Sequence, residues 1–398
     1  MFESLEMAPA DPILGLSAAF REDPNPAKIN LGVGEYRDTE GKTPILQTVK
    51  EVEAQLLRDE TSKSYLDIAG SPEYGAAVRT LLFGADNAAE PIPGHQAITL
   101  QTPGGTGALR LAGDFIHRHY PGARIWLSDP TWANHPKIFE AAGVEVRTYP
   151  YFDTTSNELD FAGLKHGLEQ DLASGDVVLL HGCCHNPSGA DPSTEQWRQI
   201  GETLASRGAI PFVDFAYQGF GDGLEADAQG FRALMTSCPE LLIASSFSKN
   251  FALYKERVGA LTLVAPVATT APLLSQLKIC VRTNFSNPPA HGAAIVVGIL
   301  HDPDLRQRWE GELASMRERI NGMRTLYVQT LKEKGVGLDF SFIERQRGMF
   351  SFSGLNKDQV GQLRDRFAIY IVGSGRINVA AITPANVDGL CEAIARVL

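Results

Sequence analysis

Seven short apolar runs, separated by stretches of helical period, constrain the fold of this chain more than any other feature. The runs are AITLQT (97–102), RIWLSD (124–129), VEVRTYPY (144–151), VVLLHG (177–182), IPFVDFA (210–216), LLIASS (241–246) and GALTLVA (259–265). Between them lie segments such as TGALRLAGDFIHRHY and STEQWRQIGETLASRG, whose apolar residues recur at spacings of three and four, the period of an amphipathic helix. Near-continuous apolar strands that alternate with helices form a mostly parallel sheet buried on both faces. The expected class is therefore α/β, with a large domain built on a seven-stranded, mostly parallel sheet flanked by helices. Ligands of such sheets gather beyond the carboxyl ends of the strands.

The last hundred residues have a different texture. A long amphipathic pattern, DPDLRQRWEGELASMRERINGMRTLYVQTLKEKG, leads into short strand-like pieces around GMFSFSG and YIVGSGRINVA. This predicts a smaller α+β domain joined through one long helix. At 398 residues two domains are the ordinary expectation. The division expected is an N-terminal arm with part of the small domain (1–46), a large domain (47–312) and a small C-terminal domain (313–398).

A hydrophobic content of 43% and a charged content of 21% are those of a soluble globular protein. The net charge of −11, with no basic cluster against it, argues against nucleic acid as a partner. MFESLEMAPADPILGL shows neither a basic n-region nor an apolar h-region, and no run is long enough to span a bilayer. A cytoplasmic location is expected. Of the five cysteines, Cys183 and Cys184 are adjacent and Cys238, Cys280 and Cys391 are scattered. HGCCH (181–185) resembles a metal knuckle, yet side chains of an extended segment alternate between faces and do not converge. No metal site is expected.

Several motifs fall at the strand ends. QTPGGTGALR (101–110) passes from strand to helix through a glycine-rich turn. The free N–H groups of such a turn make an anion cradle suited to phosphate, although the pattern is neither a dinucleotide fingerprint nor a Walker loop. IPFVDFAYQGF puts Asp214 at a strand end with Tyr217 beyond it, and HNPSG offers Asn186 at another exit. SSFSKNFALYKERVGA (245–260) carries Lys249 just after the apolar run LLIA. A lysine partly desolvated there can present a neutral amine near pH 7, as Schiff-base chemistry requires. Each piece alone has an ordinary explanation: a packing turn, a helix cap, a loop. Together they form the set that pyridoxal phosphate needs: an amine nucleophile, an acid for the ring nitrogen, a donor to the ring oxygen and an anion site.

The order of the motifs extends this. DPILGL, NLGVGEYRD, PGGTGALR, DPTWANH, HGCCHNPSGADP, DFAYQGF, SSFSKNFALYKERVGA, RTNFSNPPAHG, GMFSFSGL and GRINVAAITP run nearly end to end. The chain resembles the class I, fold type I pyridoxal-phosphate aminotransferases of the aspartate and aromatic amino-acid subgroup. The resemblance implies that Lys249 is the Schiff-base lysine and Asp214 the partner of the ring nitrogen, with Asn186 and Tyr217 as donors to the ring oxygen. It assigns Gly104, Gly105, Thr106, Ser246 and Arg257 to the phosphate, with Tyr65 reaching the phosphate of a second subunit. It places Trp132 on the ring, backed by His135 and His181. Arg376 matches the α-carboxylate arginine, Arg282 the distal-carboxylate arginine across a homodimer, and Gly34 a backbone position near the substrate. Lys255 falls on no functional position. Phe247 and Ser188 depart from the tyrosine and threonine of some relatives, without removing a group the chemistry requires.

The activity this implies is ping-pong transfer of an amino group from aspartate to 2-oxoglutarate. Polar residues at the expected rim, Thr43, Ser64, Thr106 and Asn287, lean toward aspartate. An aromatic aminotransferase is the alternative, because aromatic-preferring relatives keep both arginines. A pyridoxal-phosphate lyase or decarboxylase, or a cofactor-binding regulator without turnover, fits less well, since a pure binder has no need of Arg282.

Overall fold

A computed structural model describes residues 2–7 and 12–398. Asp11, the first residue of the DPILGL motif, lies outside the described residues. All seven apolar runs form strands of one sheet: β1 (His95–Pro103), β2 (Arg124–Asp129), β3 (Glu145–Pro150), β4 (Val177–His181), β5 (Ile210–Phe215), β6 (Leu241–Ser246) and β7 (Val258–Pro266). The strand order is β1-β7-β6-β5-β4-β2-β3. Only β7 runs against the others, pairing antiparallel with both β1 and β6, while the remaining pairs are parallel.

Strand alternation explains the burial on both faces. In β4 and β5, Leu179 and Phe212 join the apolar cluster that also holds Leu109 and Phe115; these two belong to the helix α1 (Gly104–His119) that follows β1. Val213 and Phe215 join the cluster on the opposite face. Each such side chain contributes about 1.5–3 kcal/mol on burial. The parallel register sets Leu179 beside Phe212 and, two residues on, His181 beside Asp214. Two polar groups therefore emerge side by side at the end of a face that is apolar below them.

The helices between strands carry their own start and stop signals. In α2 (Thr194–Arg207), Ser193 and Gln196 form a capping box, and Gly208 ends the helix in the left-handed region at φ 65°, as glycine readily does. The helix α3 (Val267–Asn284) follows β7. The long predicted helix is α4 (Pro303–Glu333), opened by Asp302, whose carboxylate accepts the N–H groups of Asp304 and Leu305. This helix is continuous across residues 312 and 313.

Beyond the main sheet, short pairs of strands join distant parts of the chain. Ile29–Asn30 pairs parallel with Ile369–Tyr370, and Phe350–Phe352 pairs antiparallel with Arg376–Asn378. Among the described residues, no helix is long and apolar enough to cross a membrane.

Candidate active site

The carboxyl ends of five strands and the start of a sixth meet at one edge of the sheet. β1 ends at Pro103 and passes directly into Gly104 of α1. β2 leads to Trp132, β4 to Asn186 and β5 through Asp214 to Tyr217, while Lys249 follows the end of β6 by three residues. Arg257 immediately precedes β7. Because β7 is reversed, its beginning lies where the other strands end. These residues enclose a cavity of about 310 Å³, lined by Gly34, Gly105, Thr106, Trp132, His181, Asn186, Asp214, Tyr217, Ser246, Lys249, Arg257 and Arg376.

Lys249 makes no ion pair among the described residues; its Nζ sits 4.8 Å from the centroid of the Tyr217 ring. Burial pulls the amine down from 10.5 to about 8, opposed by the charge of Asp214 and assisted by that of Arg257. A sizeable neutral fraction thus exists near neutral pH, as a nucleophile or base requires.

Asp214 is held from behind by a chain of hydrogen bonds. The backbone N–H of Asn186 donates to His181 Nδ1 at 3.4 Å, which leaves His181 Nε2–H to donate to Thr131 Oγ1 at 3.1 Å. The Thr131 hydroxyl then donates to His135 Nδ1 at 2.8 Å, and His135 Nε2–H donates to Asp214 Oδ2 at 3.0 Å. Each ring has one donor and one acceptor role, so neutral imidazoles satisfy the chain. Burial lowers His181 to about 3, with His135 adding to the effect. Burial by itself would raise the Asp214 carboxyl, but the hydrogen bond from His135 leads the effects that hold it below its ordinary value. The pocket therefore contains a fixed anion.

The anion cradle is built by glycine. Gly104 has φ 77°, and a Cβ on it would lie 2.4 Å from an Arg257 guanidinium nitrogen. A Cβ on Gly105 would lie 3.0 Å from the Cβ of Ser246. Arg257, itself at φ 55°, donates to the Tyr254 carbonyl at 2.8 Å and to Ser248 Oγ at 3.4 Å. A left-handed arginine is costly, and here it turns the side chain back over the cradle. At the opposite end, Arg376 is 4% exposed. Its guanidinium donates to the Gly32 carbonyl at 2.6 Å and to Asn186 Oδ1 at 3.3 Å, while its Nε has no partner. Burial lowers it to about 10, so it stays cationic at neutral pH. An amine, a fixed anion, an anion cradle and a buried guanidinium fit pyridoxal phosphate together with a carboxylate substrate.

Not every expected residue reaches this cavity. Tyr65 is 92% exposed, and Arg282 is exposed near the end of α3, where it donates to Ser286 Oγ. Thr43, Ser64 and Asn287 also lie outside the lining, and His135 stands behind it. The lining adds residues that sequence reasoning passed over: Val33, Glu35, Ser248, Tyr254 and Phe350 among them. Ser248 and Tyr254 sit within the same motif as Lys249, and proximity to that lysine was a usable signal. Phe350 lies in the GMFSFSGL motif, but nothing in that motif shows that it meets the strand ends, because it arrives from the far end of the chain.

HGCCH is not the extended segment expected: the chain turns after His181 and Cys184 adopts φ 53°, so its side chains approach in two pairs, histidine with histidine and cysteine with cysteine, and not as one set of four. The His181 and His185 rings lie 4.2 Å apart, and the two sulfurs lie with an Asp227 oxygen within 4.8 Å of one another. The Asp227 carboxylate accepts the N–H groups of Gly219, Gly221 and Asp222, and burial raises both thiols.

Residues 26–394 match the family model described as aminotransferase class I and II. The chain is 55% identical to the aspartate aminotransferase of Salmonella typhi and 54% identical to that of Escherichia coli strain K12, in each case covering 100% of both chains. It also superimposes on a crystal structure of the aromatic-amino-acid aminotransferase of Burkholderia pseudomallei covalently bound to pyridoxal phosphate. There the TM-score is 0.96 at 46% identity, covering 100% of this chain and 99% of that one.

Proposed function

Because the chain belongs to the class I and II aminotransferases, we propose that it transfers the amino group of aspartate to 2-oxoglutarate, in two half-reactions sharing one pocket. As a member of that family it is a pyridoxal-phosphate-dependent enzyme. The observation that carries the reading is a desolvated lysine, Lys249, lining the same cavity as a buried guanidinium, Arg376. When bound, pyridoxal phosphate supplies a carbonyl that condenses with amines and a ring that draws electrons from the substrate α-carbon. Lys249 would hold it covalently; Asp214, Asn186 and Tyr217 would hold its ring, with Trp132 against the face. Gly104, Gly105, Thr106, Ser246 and Arg257 would hold its phosphate.

The chain's own residues then have distinct tasks. Arg376 receives the α-carboxylate in the planar two-point manner that guanidinium favours, beside Gly34. That contact turns the α-hydrogen toward Lys249, whose Nζ, once the substrate amine has displaced it from the cofactor, would be free to take the proton and later return it. Asp214, kept anionic by His135, favours a cationic partner opposite it. Tyr65 and Arg282, exposed on this chain, are read as serving the cavity of a second copy in a homodimer. Tyr65 would reach its phosphate and Arg282 the distal carboxylate of its substrate.

Steady-state turnover of aspartate, tyrosine and phenylalanine with 2-oxoglutarate tests the substrate assignment. Aspartate should show the highest kcat/KM. Higher values for tyrosine or phenylalanine would make the enzyme an aromatic aminotransferase, the activity named for the similar structure from Burkholderia pseudomallei.

A further inference from the structure

Arg324 lies in the middle of α4 and is 1% exposed, yet it makes no ion pair among the described residues. Its guanidinium instead donates to four acceptors of a single segment. One nitrogen reaches the Ile343 carbonyl at 3.1 Å and Ser351 Oγ. The other reaches the carbonyls of Gly348 at 2.6 Å and Phe350 at 2.9 Å. A buried cation bound only to neutral acceptors is expensive, and an apolar side chain would fill the same space. What the arginine supplies is a way to tie buried backbone carbonyls of 343–350 to one rigid fork.

The segment so tied is the one that backs the carboxylate end of the cavity. Its strand Phe350–Phe352 pairs with Arg376–Asn378, and Val379 N–H donates to the Met349 carbonyl at 2.8 Å. The Phe350 ring lies over Arg376, with the guanidinium carbon 4.2 Å from the ring centroid. The same ring meets Tyr217 edge-on at 6.1 Å and leaves a Cβ on Gly34 only 3.1 Å of room. A ring against one face of a guanidinium attracts it and removes water from that face, which leaves its in-plane N–H groups for a carboxylate.

We propose that Arg324 is a positioning residue for substrate binding: by gathering the carbonyls around Phe350 it fixes that ring over Arg376, and so sets the geometry in which Arg376 receives the α-carboxylate. The proposal rests on the reading of Arg376 as the α-carboxylate arginine. Every substrate of both half-reactions carries that carboxylate, so Arg324 acts on all of them alike. It touches none of the groups that would hold the cofactor.

The test uses the holoenzyme and reads KM and kcat for aspartate, phenylalanine and 2-oxoglutarate, with the cofactor's visible absorbance and its pH midpoint. Arg324→Met leaves buried carbonyls unpaired and should raise KM for all three substrates by about tenfold or more, with kcat within about threefold. The visible band and its midpoint should not move, and Arg324→Lys, which restores a cation and donors, should recover much of the loss. Phe350→Leu should raise KM in the same pattern. Because Arg324 is argued to act through Phe350, Arg324→Gln, which keeps one amide donor but loses the fork, should raise KM by itself and add nothing to Phe350→Leu in the double variant. That cycle carries the test even if Arg324→Met fails to fold.

Unchanged KM in folded Arg324→Met, a shift of the cofactor's midpoint, or additive losses in the double variant would overturn the proposal. Arg376→Ala separates this from the underlying reading. If it raises KM while the Arg324 variants do not, only the positioning role fails. If Arg376→Ala leaves KM unchanged, the carboxylate assignment fails and the positioning role falls with it.

Discussion

Lys249 combines two properties that a surface lysine lacks: an amine brought down to about 8 by burial and no ion-pair partner. Below that pH the amine is charged in the folded and unfolded chain alike, and the fold bears the whole desolvation cost. The cost fades as the pH climbs from 8 toward 10.5, where only the unfolded chain keeps the proton. Lys249→Met should therefore stabilise the apoprotein at pH 7 by on the order of 3 kcal/mol, and by less at pH 10. Urea unfolding at both pH values checks this; a gain that grows with pH would contradict it. In the holoenzyme, borohydride should link pyridoxal phosphate to the peptide position of Lys249 and not of Lys255, and Lys249→Ala should lose at least about a hundredfold in turnover. The identity of this lysine was legible in the sequence, because an apolar strand led to it. The downward direction of its amine's shift was legible too, because burial at a strand exit implies it; the charges of Asp214 and Arg257 that act on it were not, since they arrive from other strands.

The elements of the cavity meet through one reversed strand. Gly259, the second residue of β7, pairs with Thr102 of β1 and Ser246 of β6, and a Cβ on it would lie 2.4 Å from the carbonyl carbon of Gly104. Both sides of that contact are backbone, so the cradle itself would have to shift. Gly259→Ala should weaken binding of pyridoxal phosphate by about tenfold or more, which is about 1.4 kcal/mol, and should weaken pyridoxal, which lacks the phosphate, much less. Equilibrium titration of the apoprotein with both compounds measures the difference, and equal losses would place the damage outside the cradle. The seven strands and the helix after β1 could be read from apolar runs and a glycine turn. The direction of β7 could not, because an apolar run has the same composition whichever way it points. Hence Arg257 was assigned to the phosphate by resemblance alone, while the antiparallel pairing is what sets it beside Gly104.

A site shared between two copies of the chain would couple substrate choice to the dimer. Arg282→Ala should penalise aspartate and glutamate far more than phenylalanine. Truncating one partner of a buried charge pair costs about 2–5 kcal/mol, or roughly two to three orders of magnitude in kcat/KM. An equal loss for all substrates would mean that Arg282 serves the fold. Sharing also has a geometric consequence, which follows from two-fold symmetry. A hybrid of Lys249→Ala with Arg282→Ala subunits places both defects in one site and none in the other, so activity should reappear on mixing two inactive proteins. A hybrid of Lys249→Ala with Arg376→Ala leaves one defect in each site and should stay inactive. Recovery is assayed with aspartate after exchange in mild denaturant; no recovery in the first hybrid would place Arg282 in its own chain's site or in none.

The strands, the long helix and the chemical types at the strand ends could all be read along the chain. Periodicity and local turn chemistry depend only on near neighbours, and a carboxylate or lysine at an apolar strand end advertises its cost. How those groups act on one another emerges from the folded packing. It alone set His181 beside Asp214 through the register of β4 and β5, and ran hydrogen bonds from His181 through Thr131 and His135 to that carboxylate. It also bent HGCCH so that its two histidines and its two cysteines each form a pair. Phe350 and Arg324 illustrate the same limit: a phenylalanine of GMFSFSGL and an arginine of the long helix became the ceiling of Arg376 and its support. Their roles depend on contacts between residues far apart in the chain, and no local pattern encodes those.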